Sequence, residues 1–110
     1  MSYAQNVSLS SFEDEVLESS VPVIVDFYAD WCGPCRMLRP VLDRVSQAFE
    51  GKAKIVKVNV DQEPGLASQF NVSSIPMLLY VHKGVIVGKS SGVASEAELT
   101  RALSQMIAAN

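Results

Sequence analysis

Scarcity is the first information in this chain: of 110 residues only two are cysteine and one is histidine, and nine lysines and arginines stand against twelve acidic residues. Each shortage excludes something. A net charge of -3 with no basic cluster argues against a nucleic acid or an anionic membrane as partner, because both need concentrated Lys and Arg. No apolar run approaches the roughly 18 residues that a membrane span requires. The opening MSYAQNVSLSSFEDE has neither the basic segment nor the long apolar stretch of a signal peptide, so the expected address is cytoplasmic. No repeat, low-complexity tract or Pro/Gly/Ser-rich linker divides the sequence, and residues 1–110 read as one domain, expected to be monomeric. That length buries roughly two-thirds of the surface its unfolded chain exposes, so folding needs no covalent staple.

What is present alternates between two periodicities. VPVIVDFY, Val21 to Tyr28, is almost continuously β-branched and aromatic, as in a central strand covered on both faces; its one charge, Asp26, is out of place there. Leu38, Val41, Leu42, Val45 and Phe49 recur at helical spacing and predict a helix over 34–49, with Pro34 in its first turn and Pro40 bending it rather than ending it. Ala53 to Val60 predicts the next strand, and Pro64 opens a short helix that buries Leu66, Ala67 and Phe70. MLLYV and VIVGK, split by Lys83-Gly84, predict an antiparallel hairpin. A last helix over 95–108 carries Leu99, Ala102, Leu103, Met106 and Ile107 on one face, and a first helix near 11–19 has capping-box spacing at Ser10 to Glu13. With a short strand at 5–8 the order is β-α-β-α-β-α-β-β-α. That order predicts an α/β fold with a parallel core sheet covered on both faces and an antiparallel hairpin at one edge.

Both cysteines lie in ADWCGPCRM, between Ala29 and Met37. They could be a staple, half of a metal site or a redox couple. A staple closing so short a loop gains little loop entropy. Structural zinc takes about four ligands, and beyond the cysteines the only histidine is His82, read as a solvated turn residue; no second ligand cluster appears at the usual spacing. In a reducing compartment a lone disulfide is more often transient and catalytic than structural. Residues three apart at a helix start share one face, so Cys32 and Cys35 can bond without backbone movement. Cys32 stands at the helix N-terminus, where unpaired N–H groups and the dipole favour thiolate over thiol. It is the candidate nucleophile, expected to be exposed at the turn, with Cys35 less accessible and suited to resolving a mixed disulfide. Gly33 permits close approach of a partner chain, and Pro34 stiffens the turn without adding a donor.

With WCGPC following a buried strand and opening a helix, the chain resembles the thioredoxin family nearly end to end. The resemblance is carried by VDFYADWCGPC, Pro40, KVNVDQEPGLASQF, the Ile75-Pro76 step before the hairpin, and Gly84 and Gly92. It implies a thioredoxin fold, a central mixed five-stranded sheet flanked by four helices. It also implies a protein-disulfide reductase that uses its own Cys32-Cys35 disulfide with no bound cofactor or metal, is recharged by a thioredoxin reductase, and passes electrons to disulfide-containing target proteins. By the same resemblance Cys32 is nucleophile, Cys35 resolving thiol, Asp26 the buried group that moves a proton to and from Cys35, and Gly33 with Pro34 set the redox potential. Trp31, Ile75, Pro76 and Gly92 correspond to the substrate-binding rim, with Pro76 after a cis peptide bond, and Lys57 to a charged neighbour of Asp26.

Two positions depart from the family pattern: Tyr28 stands where a second tryptophan is common, and Met77 where threonine commonly follows the proline. They bear, with Ser73 and Ser74, on which targets are met rather than on the reaction. Strand alternation puts Ile24, Asp26 and Tyr28 on one side, so a desolvated Asp26 carboxyl beneath the cysteines would have its pKa raised into the range useful for proton transfer. The plainer alternative is a strand aspartate with a satisfied polar partner. Arg36 and Arg39 flank the pair as helix-surface charges, and Trp31, in a turn, is expected to be contact surface rather than core.

Overall fold

The structure, a computed structural model, describes residues 4–109. Its centre is β2 (Val23–Tyr28), in which all six residues are buried. β2 pairs in parallel with β3 (Lys54–Asn59) and antiparallel with β4 (Met77–His82). The two-residue β1 (Gln5–Asn6) extends the sheet beyond β3, and β5 (Val85–Ser91) extends it beyond β4, giving the order β1-β3-β2-β4-β5. The predicted mixed sheet of five strands is therefore present, with its antiparallel hairpin at one edge.

Alternation along β2 divides the core in two. Ile24 faces Leu38, Leu42 and Val45 of α2 (Gly33–Ala48) and Leu99, Leu103 and Met106 of α4 (Glu96–Ala108). Val23, Val25 and Phe27 face the other way, toward Phe12, Val16 and Leu66. There the Phe70 ring lies 5.2 Å from Phe12 and 6.0 Å from Phe27, centroid to centroid. α3 (Pro64–Gln69) starts on Pro64, as its sequence implies. Pro40 lies inside α2 without ending it. α4 opens with a capping box in which Glu98 N–H donates to Ser95 Oγ at 3.1 Å.

The first helix differs from expectation. It begins at Leu9 rather than near residue 11: α1 (Leu9–Phe12) runs directly into a π-helical stretch, Glu13–Leu17. Its capping box is Ser8 with Ser11, Ser8 N–H donating to Ser11 Oγ at 3.0 Å, not Ser10 with Glu13. A distant group fixes that start, for the orphan amide of Leu9 donates to Glu63 Oε1 at 3.0 Å. His82 is also less solvated than its sequence setting suggests; it closes β4 and is half-buried.

The hairpin turn is the two-residue kind in which both central residues take positive φ, 53° at Lys83 and 78° at Gly84. At Gly84 a Cβ would also stand 3.1 Å from the Leu17 carbonyl oxygen, whereas at Gly51, with φ of 83°, it would meet nothing within 4 Å. Gly84→Ala is expected to cost more than the roughly 1–2 kcal/mol of a left-handed alanine, and Gly51→Ala only about that amount. Urea unfolding of the two variants measures the difference; equal losses would show that the Leu17 contact yields freely.

Candidate active site

The β2–α2 connection builds the site. β2 ends at Tyr28, whose carbonyl accepts from Val60 N–H at 2.9 Å, and Cys32 N–H donates back to Ala29 O at 3.2 Å. Cys32 is the N-cap of α2 in extended backbone, Gly33 and Pro34 are its first two residues, and Cys35 follows at the third. This is where a helix leaves amides unpaired, and Pro34 has none to offer. The Cys35 amide donates to Cys32 Sγ at 3.2 Å, a cap made by sulfur where Ser or Asp ordinarily serves. The two sulfurs are bonded to one another with their Cα atoms 5.3 Å apart, inside the range that a disulfide bridges without strain on the chain.

One expectation fails here. Cys32 is 4% exposed and so is Cys35, so accessibility does not separate them. Tyr28, Ala29 and the half-buried Val60 and Ile75 close over the pair. What distinguishes the two sulfurs is that Cys32 Sγ receives the amide at the positive end of the helix.

Trp31 is 68% exposed, as its turn position implies, and its indole Nε1 donates to Asp61 Oδ2 at 2.8 Å. Asp61 is held in turn by Asn59, whose buried Oδ1 accepts from the Asp61 and Gln62 amides at 2.9 and 3.2 Å. Neither Asn59 nor Asp61 stood out in the sequence. An Asx turn at a strand end is the signal that would have found Asn59. Arg36 Nη1 donates to Asp30 O at 2.7 Å, bracing the loop before the cysteines. Across the site the Ile75-Pro76 peptide is cis, Pro76 is buried, and Gly92, with φ of 85°, donates its amide to Pro76 O at 2.9 Å.

Asp26 lies on the β2 face that carries Ile24 and Tyr28, 4% exposed, with Leu78 beside it on β4 and Lys57 on β3. Its Oδ1 has no hydrogen-bond partner among the described residues. Burial raises its pKa from 3.8 to about 7, against the opposing charges of Lys57 and Arg39. Arg39 follows Cys35 by four residues on α2, and its charge is felt at Asp26 from the helix that carries both cysteines' turn. Lys57 is half-buried and holds its ammonium 5.6 Å from the centre of the Tyr28 ring.

His82 cannot complete a metal set with the cysteines, because β4 runs antiparallel to β2 and carries it to the opposite end of the sheet. Among the described residues three potential ligands converge only at Glu13, Asp14 and Glu18, all exposed and without either cysteine.

A dithiol that can open and close within one turn of helix, its first sulfur on the helix N-terminus, defines a protein of thiol–disulfide exchange. Comparison with known proteins agrees. The family model Thioredoxin matches residues 4–105. "Thioredoxin 1" of Nostoc sp. is 48% identical over 103 residues, covering 94% of this chain and 96% of that protein. "Thioredoxin" of Synechocystis sp. is 45% identical over 107 residues, and "Thioredoxin" of Haemophilus influenzae 41% over 107, each covering 97% of this chain and all of the relative. The chain belongs to the thioredoxin family, and its activity is that of a protein-disulfide reductase whose redox group is the Cys32-Cys35 disulfide. Disulfide-containing proteins and a reductase are its general partners. Among the described residues no helix is long and apolar enough to cross a membrane.

Proposed function

We propose that the chain is a single-domain, monomeric, cytoplasmic electron carrier in which Cys32 attacks and Cys35 resolves. The Cys32 thiolate attacks one sulfur of a target disulfide; that bond breaks, a new one joins Cys32 to the target, and the other target sulfur leaves as thiolate and takes a proton from water. Cys35 then gives its thiol proton to the Asp26 carboxylate and attacks Cys32. The Cys32-Cys35 bond forms, and the second target sulfur leaves. Two electrons have passed to the target. A thioredoxin reductase returns them.

The observation that carries this reading is the Cys35 amide donating to Cys32 Sγ at the N-cap, a contact that favours negative charge on that sulfur. The unpartnered Asp26 carboxyl, ionising near neutral pH, suits a group that accepts and returns a proton. Lys57 and Arg39 keep its pKa from rising further. Gly33 and Pro34, as the first residues of α2, set how much helix N-terminus each sulfur feels, and so the potential. Trp31, Ile75, Pro76 and Gly92 form the rim on which a target lies. Pro76 has no N–H and its carbonyl is taken by Gly92, so pairing with an extended target segment falls to the Ile75 peptide groups. Met77, Ser73 and Ser74 border that strip and bear on which targets fit.

Reduction of insulin disulfides with dithiothreitol present tests the direction of transfer. Acceleration at micromolar protein is expected; none would leave a binding module with a disulfide that never cycles. A reduction potential well above the cytosolic poise would instead point to an oxidant.

A further inference from the structure

Lys57 is boxed in by two residues that thiol–disulfide exchange does not itself use. One row crosses the sheet: Asn6 on β1 is the register partner of Lys57 on β3, and Lys57 is the partner of Asp26 on β2. Register partners direct their side chains to the same face. Tyr28, two residues beyond Asp26 on β2, shares that face. Its hydroxyl donates to Asn6 Oδ1 at 2.8 Å. β1 and β2 are separated by β3, roughly 10 Å in all, so the phenol must lie across the strand that carries Lys57. The Lys57 ammonium stands 5.6 Å from the centre of that ring.

We propose that Tyr28 and Asn6 are positioning residues for the reaction: the phenol, tied to Asn6, holds the Lys57 ammonium over its ring and so fixes how strongly that charge acts on the Asp26 carboxyl. The proposal rests on the reading of Asp26 as the proton carrier for Cys35. Lysine is long and flexible, and its ammonium is better hydrated in open water than beside a buried carboxyl. A cation held over an aromatic face loses that freedom. Tyrosine differs from an aromatic wall of the same size in that its hydroxyl anchors the far end of the ring to a second strand.

Asp26 meets two cations, Lys57 from β3 and Arg39 from α2, while β4 presents Leu78. In the oxidised protein Cys35 is bonded and does not titrate. Arg39 projects from an exposed helix position and is independent of the ring. Releasing Lys57 therefore removes one of two groups that favour the carboxylate, and the ionisation midpoint of Asp26 must rise.

The test is the Asp26 midpoint itself, followed in the oxidised protein by the NMR shift of its carboxyl carbon. Tyr28→Leu is expected to raise it by roughly half a pH unit, the scale of a partly desolvated cation–π contact. Tyr28→Phe and Asn6→Ala, which keep the ring but cut its tether, should raise it by less and keep the protein folded if the leucine variant does not. Lys57→Met should raise it at least as far, and adding Tyr28→Leu to Lys57→Met should then do nothing more. A midpoint unmoved in the Tyr28 and Asn6 variants would overturn the proposal. So would a Tyr28→Leu shift of the same size with and without Lys57, since the ring would then act by shielding the carboxyl from water. Failure of the proton-carrier reading registers elsewhere, as a wild-type resolving rate in Asp26→Asn.

Discussion

Cys32→Ser is expected to lose reductase activity by roughly a thousandfold or more, the scale on which removal of an enzyme's nucleophile operates. Cys35→Ser should lose turnover as completely yet accumulate covalent complexes with target proteins. The asymmetry follows from the helix start. In Cys35→Ser the backbone amide at 35 remains and still donates to Cys32 Sγ, so the attacking thiolate keeps its stabilisation while the second thiol is missing. In Cys32→Ser the surviving Cys35 lies inside the first turn, and among the described residues no amide is directed at its sulfur. The two cysteines are equally buried as residues, so residue exposure alone would predict equal trapping. Non-reducing electrophoresis of the two variants after incubation with a disulfide-containing protein separates these outcomes. Equal trapping would remove the assignment of roles, though not the disulfide chemistry.

A feature that depends on neighbours along the chain is legible in the sequence itself. The VIVDFY run is buried at every position because both sheet faces are covered, and continuous apolar sequence reports that condition directly. Lys83-Gly84 announces a two-residue turn, and both residues take the positive φ that such a turn requires. The spacing of Cys32 and Cys35 carries the redox pair, and the strand period puts Asp26 on the Tyr28 face. What the strand period does not show is that its Oδ1 is left without a hydrogen-bond partner among the described residues.

Features made by distant partners are not legible in that way. The start of α1 lies earlier than its local pattern suggests because Glu63, 54 residues on, caps the Leu9 amide. Tyr28 reaches Asn6 and Trp31 reaches Asp61 across separations of 22 and 30 residues, and no local pattern ties such pairs together. In β5 the register slips between the pairs Tyr80–Gly88 and Val81–Ile86, leaving Val87 as an extra residue. Strand alternation cannot survive such a bulge, and Val85, Ile86 and Val87 are all exposed on this edge strand. Burial of Cys32 escapes the sequence for a related reason, because the residues that cover it, Val60 and Ile75, come from two other connections.

Asp26→Asn is expected to make the oxidised protein more stable above neutral pH, by an amount that vanishes in acid. The carboxyl ionises near pH 7 in the fold, chiefly because burial strips its water, but near 3.8 in the unfolded chain. Below pH 3.8 it is protonated in both states and contributes no difference. Between 3.8 and 7 the folded state holds a proton that the unfolded state has released, so stability falls as pH rises through this window. Above that window the loss is complete, at about 4 kcal/mol. Because the cysteines do not titrate while bonded, urea unfolding of the oxidised wild type and Asp26→Asn at about pH 4, 6 and 8 isolates this group. The stability difference should grow by a few kcal/mol across that series; a constant difference would mean that the amide merely packs differently. The same variant should resolve mixed disulfides about a hundredfold more slowly near neutral pH, the usual scale for losing a general base, because an amide cannot take the Cys35 proton. Stopped-flow measurement of target-thiol release reads that step. Burial alone produces the pH-dependent gain in stability, whatever the carboxyl is for; the loss in rate joined to it is what a carboxyl kept for its proton entails, since a group retained for packing would have no kinetic role.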